Sequence, residues 1–145
     1  MVEIGVVISS PLPAGARRPD VAQLARDAEQ LGLDCIWAED LLHRNDEAVL
    51  DVTCVLSACA AATKSIGVGS AIFAPSLRNL SWAFKQVATV NLLAQSRFKL
   101  GVALGSSSDE EYRLAGLTRS GQRQRTEEFL SIMAAWAVRT STKRP

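Results

Sequence analysis

Four times along the chain, a short run rich in Val, Ile and Gly is followed by a longer stretch with apolar residues at helical spacing. That alternation of strand and helix periods predicts a parallel α/β fold built from units of about 30 to 35 residues. In the first unit a buried strand is expected over Glu3–Ser9, then a loop through Pro11, Pro13 and Gly15. Asp20 is placed to cap a helix with Val21, Leu24, Ala25, Ala28 and Leu31 on one face, and Gly32 to stop it. The second unit has a strand over Cys35–Ala38, a polar stretch through His43, and a helix capped by Asn45 or Asp46 that reaches about Lys64. A third strand over Ile66–Phe73 leads to a helix from about Ser81 to Ala94, whose early Trp82 and Phe84 face a partner or cap a barrel end. The fourth strand, Phe98–Leu104, opens into Gly105 and three serines. Ser108 and Glu111 then have the spacing of a capping box for a short helix ending near Gly116. A last helix follows Gly121 with Phe129, Ile132, Met133 and Trp136 as its stripe. Residues 1–138 are expected to form one domain and 139–145 a disordered basic tail.

Composition narrows this picture. With 145 residues, 48% of them hydrophobic, the chain can bury one core but falls short of the roughly 250 residues of a closed eight-unit barrel. Right-handed crossovers place the helices on one side of a curved sheet, which leaves a half-barrel or a small doubly wound sheet. Sixteen Lys and Arg against fifteen Asp and Glu give no field suited to nucleic acid or an anionic membrane. Three cysteines without a Cys-x-x-Cys pair suggest neither a disulfide framework nor a zinc site. No apolar run approaches the length of about 20 residues that spans a bilayer, and Met1 leads directly into the first strand without a basic leader. A cytoplasmic protein with small-molecule or protein partners is the expectation.

Chemistry in such folds sits beyond the strand ends, where Glu39, Asp40 and His43 follow the second strand. A strand-end carboxylate can orient a ligand, exchange a proton, or cap the next loop. The single histidine rules out a multi-histidine metal cluster, and no metal site is expected. Neither Ile66-Gly67-Val68-Gly69 nor Gly101-Val102-Ala103-Leu104-Gly105 matches a dinucleotide or phosphate-loop fingerprint, so these strand glycines are read as serving close packing. Asp109, Glu110 and Glu111 are the negative first turn of a helix. The small residues over Ser57–Thr63 suit either a helix interface or ordinary packing on the sheet.

Gly32-Leu33-Asp34-Cys35-Ile36-Trp37-Ala38-Glu39-Asp40, followed by Ala61-Ala62-Thr63-Lys64-Ser65-Ile66-Gly67-Val68-Gly69-Ser70-Ala71, resembles the N-terminal half of the bacterial luciferase-like flavin and deazaflavin oxidoreductases. The order continues through Pro75, Arg78-Asn79, Lys85-Gln86-Val87-Ala88-Thr89, Ser96-Arg97-Phe98, Leu100-Gly101-Val102 and Glu111-Tyr112-Arg113. The resemblance implies a (βα)4 half of a TIM barrel, with FMN or coenzyme F420 at the C-terminal strand ends and a small organic substrate. It makes Asp40 and His43 the catalytic candidates; where the family carries a histidine this chain has Leu41 if Asp40 is matched to the family aspartate, or Asp40 if Glu39 is matched to its glutamate. Glu39, Asp40, Ser70, Ala71, Ile72, Ala103, Gly105 and Ser106 become the cofactor-binding candidates. It also implies a non-prolyl cis peptide near Ser70, Ala71 and Ile72.

Barrel phosphate sites generally use the loops after strands seven and eight, so cofactor binding is expected to be weak or absent in the isolated chain. Three readings follow. One is a half-barrel oxidoreductase or monooxygenase that becomes competent with a second copy or a missing C-terminal half. Another is a non-catalytic dimerisation module that has lost its cofactor, and the last is a flavodoxin-like domain. The resemblance further implies a homodimer through the helices near Asp51–Thr63 and Ser81–Ala94.

Overall fold

The computed structural model of the chain describes residues 2–9, 11, 12, 15, 17, 19–44 and 47–141. Pro13, the expected caps Asn45 and Asp46, and residues 142–145 of the expected tail lie outside the described residues. The chain divides into two compact units, Met1–Phe73 with Gln86–Val102, and Ala74–Lys85 with Ala103–Pro145.

In the first unit four parallel strands, β1 (Gly5–Ile8), β3 (Cys35–Ala38), β5 (Gly67–Phe73) and β6 (Phe98–Val102), form one sheet in the order β1-β3-β5-β6. A second, two-stranded sheet pairs β2 (Pro11–Leu12) with β4 (Ala48–Val49) in antiparallel fashion. The main sheet has a simple register: Val6, Ile36, Val68 and Phe98 form one row, and Val7, Trp37, Gly69 and Lys99 the next. Successive rows point to opposite faces. Ile36 and Val68 are fully buried on the face that packs beneath α1 (Val21–Gln30) and α2 (Val52–Ala62), so this is the helix side and Trp37 belongs to the inner face.

Asp20 caps α1 as expected, its Oδ1 accepting the Gln23 N–H at 2.9 Å, and Gly32 follows the helix at φ +74°. The expected stripe is only half used. Ala25 and Ala28 are buried, whereas Leu24 and Leu31 are exposed, Leu31 at 78%. The strand expected to be buried, β1, is likewise open, with Val6 and Val7 exposed. Both departures have one cause: among the described residues β1 pairs only with β3, so its outer edge lacks a neighbour to cover it.

The N-cap of α2 is Asp51, not Asn45 or Asp46; its Oδ1 accepts the N–H groups of Thr53 and Cys54. The chain forms β4 first, which postpones the helix. Of the small residues on α2, Cys59 and Ala60 are buried within the unit while Cys54 and Ala61 are exposed. All three cysteines are free thiols, and burial pushes that of Cys59 up to about 11.

Two charged side chains fix the turn from α2 into β5. Oε1 of Glu29, on α1, accepts the backbone N–H groups of Lys64, Ser65 and Ile66 at 2.9, 2.6 and 3.0 Å. Arg97, one residue before β6, donates to the carbonyls of Ala60, Thr63 and Ile66 and to the Thr63 hydroxyl. The N–H groups of Ser65, Ile66 and Lys64, with the Ser65 hydroxyl, hold the Glu29 carboxyl at about 2, well below its ordinary 4.5.

The second unit contains a short 3-10 turn (Pro75–Leu77), the start of α3 (Leu80–Leu93), α4 (Asp109–Leu114) and α5 (Gln122–Ser141). Its core joins Ala74, Leu77 and Tyr112, and Phe129 of α5 is fully buried. Phe84 packs edge-on against Trp136 with ring centroids 5.8 Å apart, while Trp82 is exposed with the Lys85 ammonium over its ring. The capping box does not form. Glu111 is buried and Ser108 makes no side-chain capping bond. The helix α5 runs on through Ser141, so residues 139–141 are helical where a disordered tail is expected; no Gly or Pro interrupts the chain between Gln122 and Ser141. No helix among the described residues is long and apolar enough to cross a membrane.

Replacing Glu29 by Ala should lower stability by about 2 kcal/mol in urea unfolding, because three N–H groups lose a charged acceptor together. The carboxyl's pKa is lowered in the folded chain, so its contribution is complete above about pH 4.5 and is lost as the pH falls toward about 2. That acid sensitivity should be blunted in Glu29→Gln. Arg97→Ala should cost about 2 to 3 kcal/mol in the same measurement, since carbonyls in a partly buried turn lose their donors.

Candidate functional site

In a parallel sheet, side chains at the C-terminal strand ends emerge at one rim, and here the rim of the first unit carries Ser9, Glu39, Asp40, Ala71 and Ile72. Ser9 Oγ donates to Glu39 Oε2 at 3.3 Å, a contact that ties the ends of β1 and β3. Glu39 and Asp40 are half-buried, and His43 lies exposed beyond them.

The rim at β5 is set by an irregularity in its ladder. Ser70 pairs with Leu100 and Phe73 with Val102, so β5 uses three steps where β6 uses two. One residue is therefore extra, which is a β-bulge. By simple alternation Ile72 would share the helix side with Val68 and Ser70. The extra residue turns it to the inner face instead, where its side chain stands over Gly101, and returns Phe73 to burial on the helix side. The Ala71–Ile72 peptide within the bulge is cis, at the place the family resemblance implies. Ile72 is left 45% exposed, an apolar knob at the rim.

Below the rim the inner face alternates glycines with the side chains of Val7, Trp37 and Lys99. A Cβ on Gly69 would run into the Trp37 ring, and one on Gly5 would lie 2.8 Å from Trp37 Nε1. The indole thus lies across three strands as a flat plate, and only glycine leaves room for it. Gly101 extends this floor under Ile72, with the Ser70 carbonyl blocking any side chain there. Ser70 is fully committed: its hydroxyl donates to the Gly101 carbonyl at 2.9 Å and accepts the Gly101 N–H at 3.2 Å. It braces the bulge rather than offering a free hydroxyl.

The remaining candidates belong to the second unit. Gly105, at φ +107°, faces the hydroxyls of Ser76 and Tyr112, which a Cβ would meet at 2.6 and 2.7 Å. Those hydroxyls lie 2.8 Å apart, and both contact the Leu104 carbonyl. Arg125 Nε donates to the Ser76 carbonyl at 3.0 Å, and its Nη2 donates to that of Arg78. Ser106 Oγ accepts the Ser108 N–H, and Ala103 is half-buried. Buried Ser76 and Tyr112 with half-buried Arg125 form a polar knot that strand and helix periods did not single out. Trp37 and Ser9 were missed for the same reason, although Gly67-x-Gly69 and Gly101 within strands already signalled a face that something flat must cover.

No curated protein matches the chain. Its fold is shared with solved structures. The oxygenating constituent of 3,6-diketocamphane monooxygenase from the CAM plasmid of Pseudomonas putida, in complex with FMN, superposes with a TM-score of 0.77 at 16% identity, over 92% of this chain and 39% of that one. The monooxygenase RslO1 from Streptomyces bottropensis gives 0.78 at 17% identity, over 90% and 41%. An F420-dependent secondary alcohol dehydrogenase, in complex with an F420–acetone adduct, gives 0.74 at 22% identity, over 91% and 41%. The chain therefore spans about two fifths of the length of these proteins, as the first βα units of a luciferase-like TIM barrel. The family model described as luciferase-like monooxygenase matches residues 2–143, so the chain belongs to the luciferase-like monooxygenase family.

Proposed function

We propose that the chain is the strand-end half of an oxidoreductase site that takes the ring of FMN or coenzyme F420. The observation that carries this reading is the bulge at Ala71–Ile72 beside a glycine floor. A planar ring needs a flat surface with an apolar contact at its edge, and the Trp37 plate with Gly69, Gly101 and Ile72 supplies those elements. The solved relatives in complex with FMN and with an F420 adduct support the choice of ring.

A reduced flavin or deazaflavin supplies hydride or electron chemistry that no side chain possesses. The chain's own residues bind and orient. Ile72 and the Trp37 plate exclude water from one side of the floor, and Ser9 holds the Glu39 carboxylate at the rim through Oε2. At the rim Glu39 and Asp40 would be the groups to exchange a proton with a bound ring, with His43 exposed beyond them. A second reading, a non-catalytic interaction module, is favoured by the exposed apolar residues along β1, and it predicts no affinity for either cofactor.

Titration of the purified chain with FMN and with coenzyme F420, followed by ligand fluorescence, distinguishes the two. Saturable binding that Ile72→Glu weakens about tenfold, at unchanged circular dichroism, is the expected outcome for a face that excludes water. Absence of binding to both cofactors removes the oxidoreductase reading from the isolated chain.

A further inference from the structure

A cofactor floor does not account for the two edges of the sheet. Among the described residues β1 and β6 each pair on one side only, and the segment entering β1 holds out Val2 and Ile4 at 83% and 60% exposure. Both edges belong to strands of the same direction, so each carries the ladder that the other lacks. We propose that two copies of this chain close on one another, β6 of each pairing in parallel with residues 2–6 of the other, into an eight-stranded barrel with a two-fold axis along it.

The register can be worked out. A closed barrel of eight parallel strands has a shear of about 8 residues, so each half contributes about 4. The row Val7, Trp37, Gly69, Lys99 must then continue onto the next strand four positions from Val7, at Glu3 or at Pro11. The structure selects Glu3. Lys99 Nζ lies 2.9 Å from Glu3 Oε2 of its own chain, which a lysine on the fourth strand reaches only across a concave face and at that level of β1. Pro11, in addition, has no N–H to donate to a ladder.

With this direction fixed, Lys99 falls beside the partner's Glu3. The flanking rows carry Phe98 to the partner's Val2 and Leu100 to the partner's Ile4. Charge meets opposite charge and apolar meets apolar in a single register, and a slip of one residue would spoil both. An apolar groove of about 350 Å³, lined by Val6, Leu24, Leu31 and Leu33, opens beside the same edge and would be covered by the same partner. The pairing does not depend on cofactor binding.

The test is size exclusion with light scattering on the full chain, on Glu3→Lys, on Lys99→Glu, and on an equimolar mixture of the two variants. The wild-type chain is expected at twice its monomer mass. Each variant alone opposes like charges in both contacts and should raise the dimer dissociation constant about tenfold. The mixture restores both contacts between copies while the pair within each chain stays like-charged, so it should return to the dimer mass. Both positions are solvent-facing, and circular dichroism should be unchanged. A monomeric wild type overturns the proposal, as does a mixture no more dimeric than its parts. So does a dimer that Ala61→Arg dissociates and the strand-edge variants leave intact, since that places the contact on α2.

Discussion

Where α2 ends and β5 begins, three N–H groups and three carbonyls are met by two side chains from distant points of the chain. A carboxylate from α1 gathers the donors and a guanidinium from the start of β6 gathers the acceptors. The geometry matters because β5 is the strand on which both β3 and β6 register. Where β5 begins therefore decides which residues face inward along the whole sheet. Glu29 and Arg97 stand at the N-terminal ends of the strands, away from the rim, and they position the rim through the register alone.

What that register exposes is an inner face built by omission. Glycines weaken a strand, because they bring more backbone entropy and no cross-strand side-chain contact. Here Gly5 and Gly69 receive one indole ring between them, so the packing lost at two positions is recovered by a single side chain from the strand between. The result is a broad, shallow surface. Its polar groups are confined to the ends, Glu3 and Lys99 at one and Ser9 and Glu39 at the other.

The local grammar of this fold was legible in the chain. Cys35–Ala38 has the expected bounds, Asp20 caps α1, and the order of the four parallel strands and their following helices was read from periodicity, whereas the short strands β2 and β4 were not. The family resemblance located the unusual peptide. What periodicity could not show is any contact between residues far apart in sequence: the clamps by Glu29 and Arg97, the Ser70–Gly101 brace and the Ser76–Tyr112 knot each join points about 30 or more residues apart. The capping box failed on similar grounds. Glu111 has the right spacing, but burial claims its side chain. Leu24 and Leu31 were read as core because apolar spacing does not say whether the sheet beneath them has an outer neighbour.

The extra residue in β5 links two selective pressures that would otherwise be separate. The same one-step shift that presents Ile72 to the rim delivers Phe73 to the interior. Run through the ladder without the bulge, the same residues would alternate so that Ile72 pointed to the helix side and Phe73 pointed away from the core. The shape of the rim and the packing of the core at this strand are therefore set by one and the same irregularity, so neither can be altered there without the other.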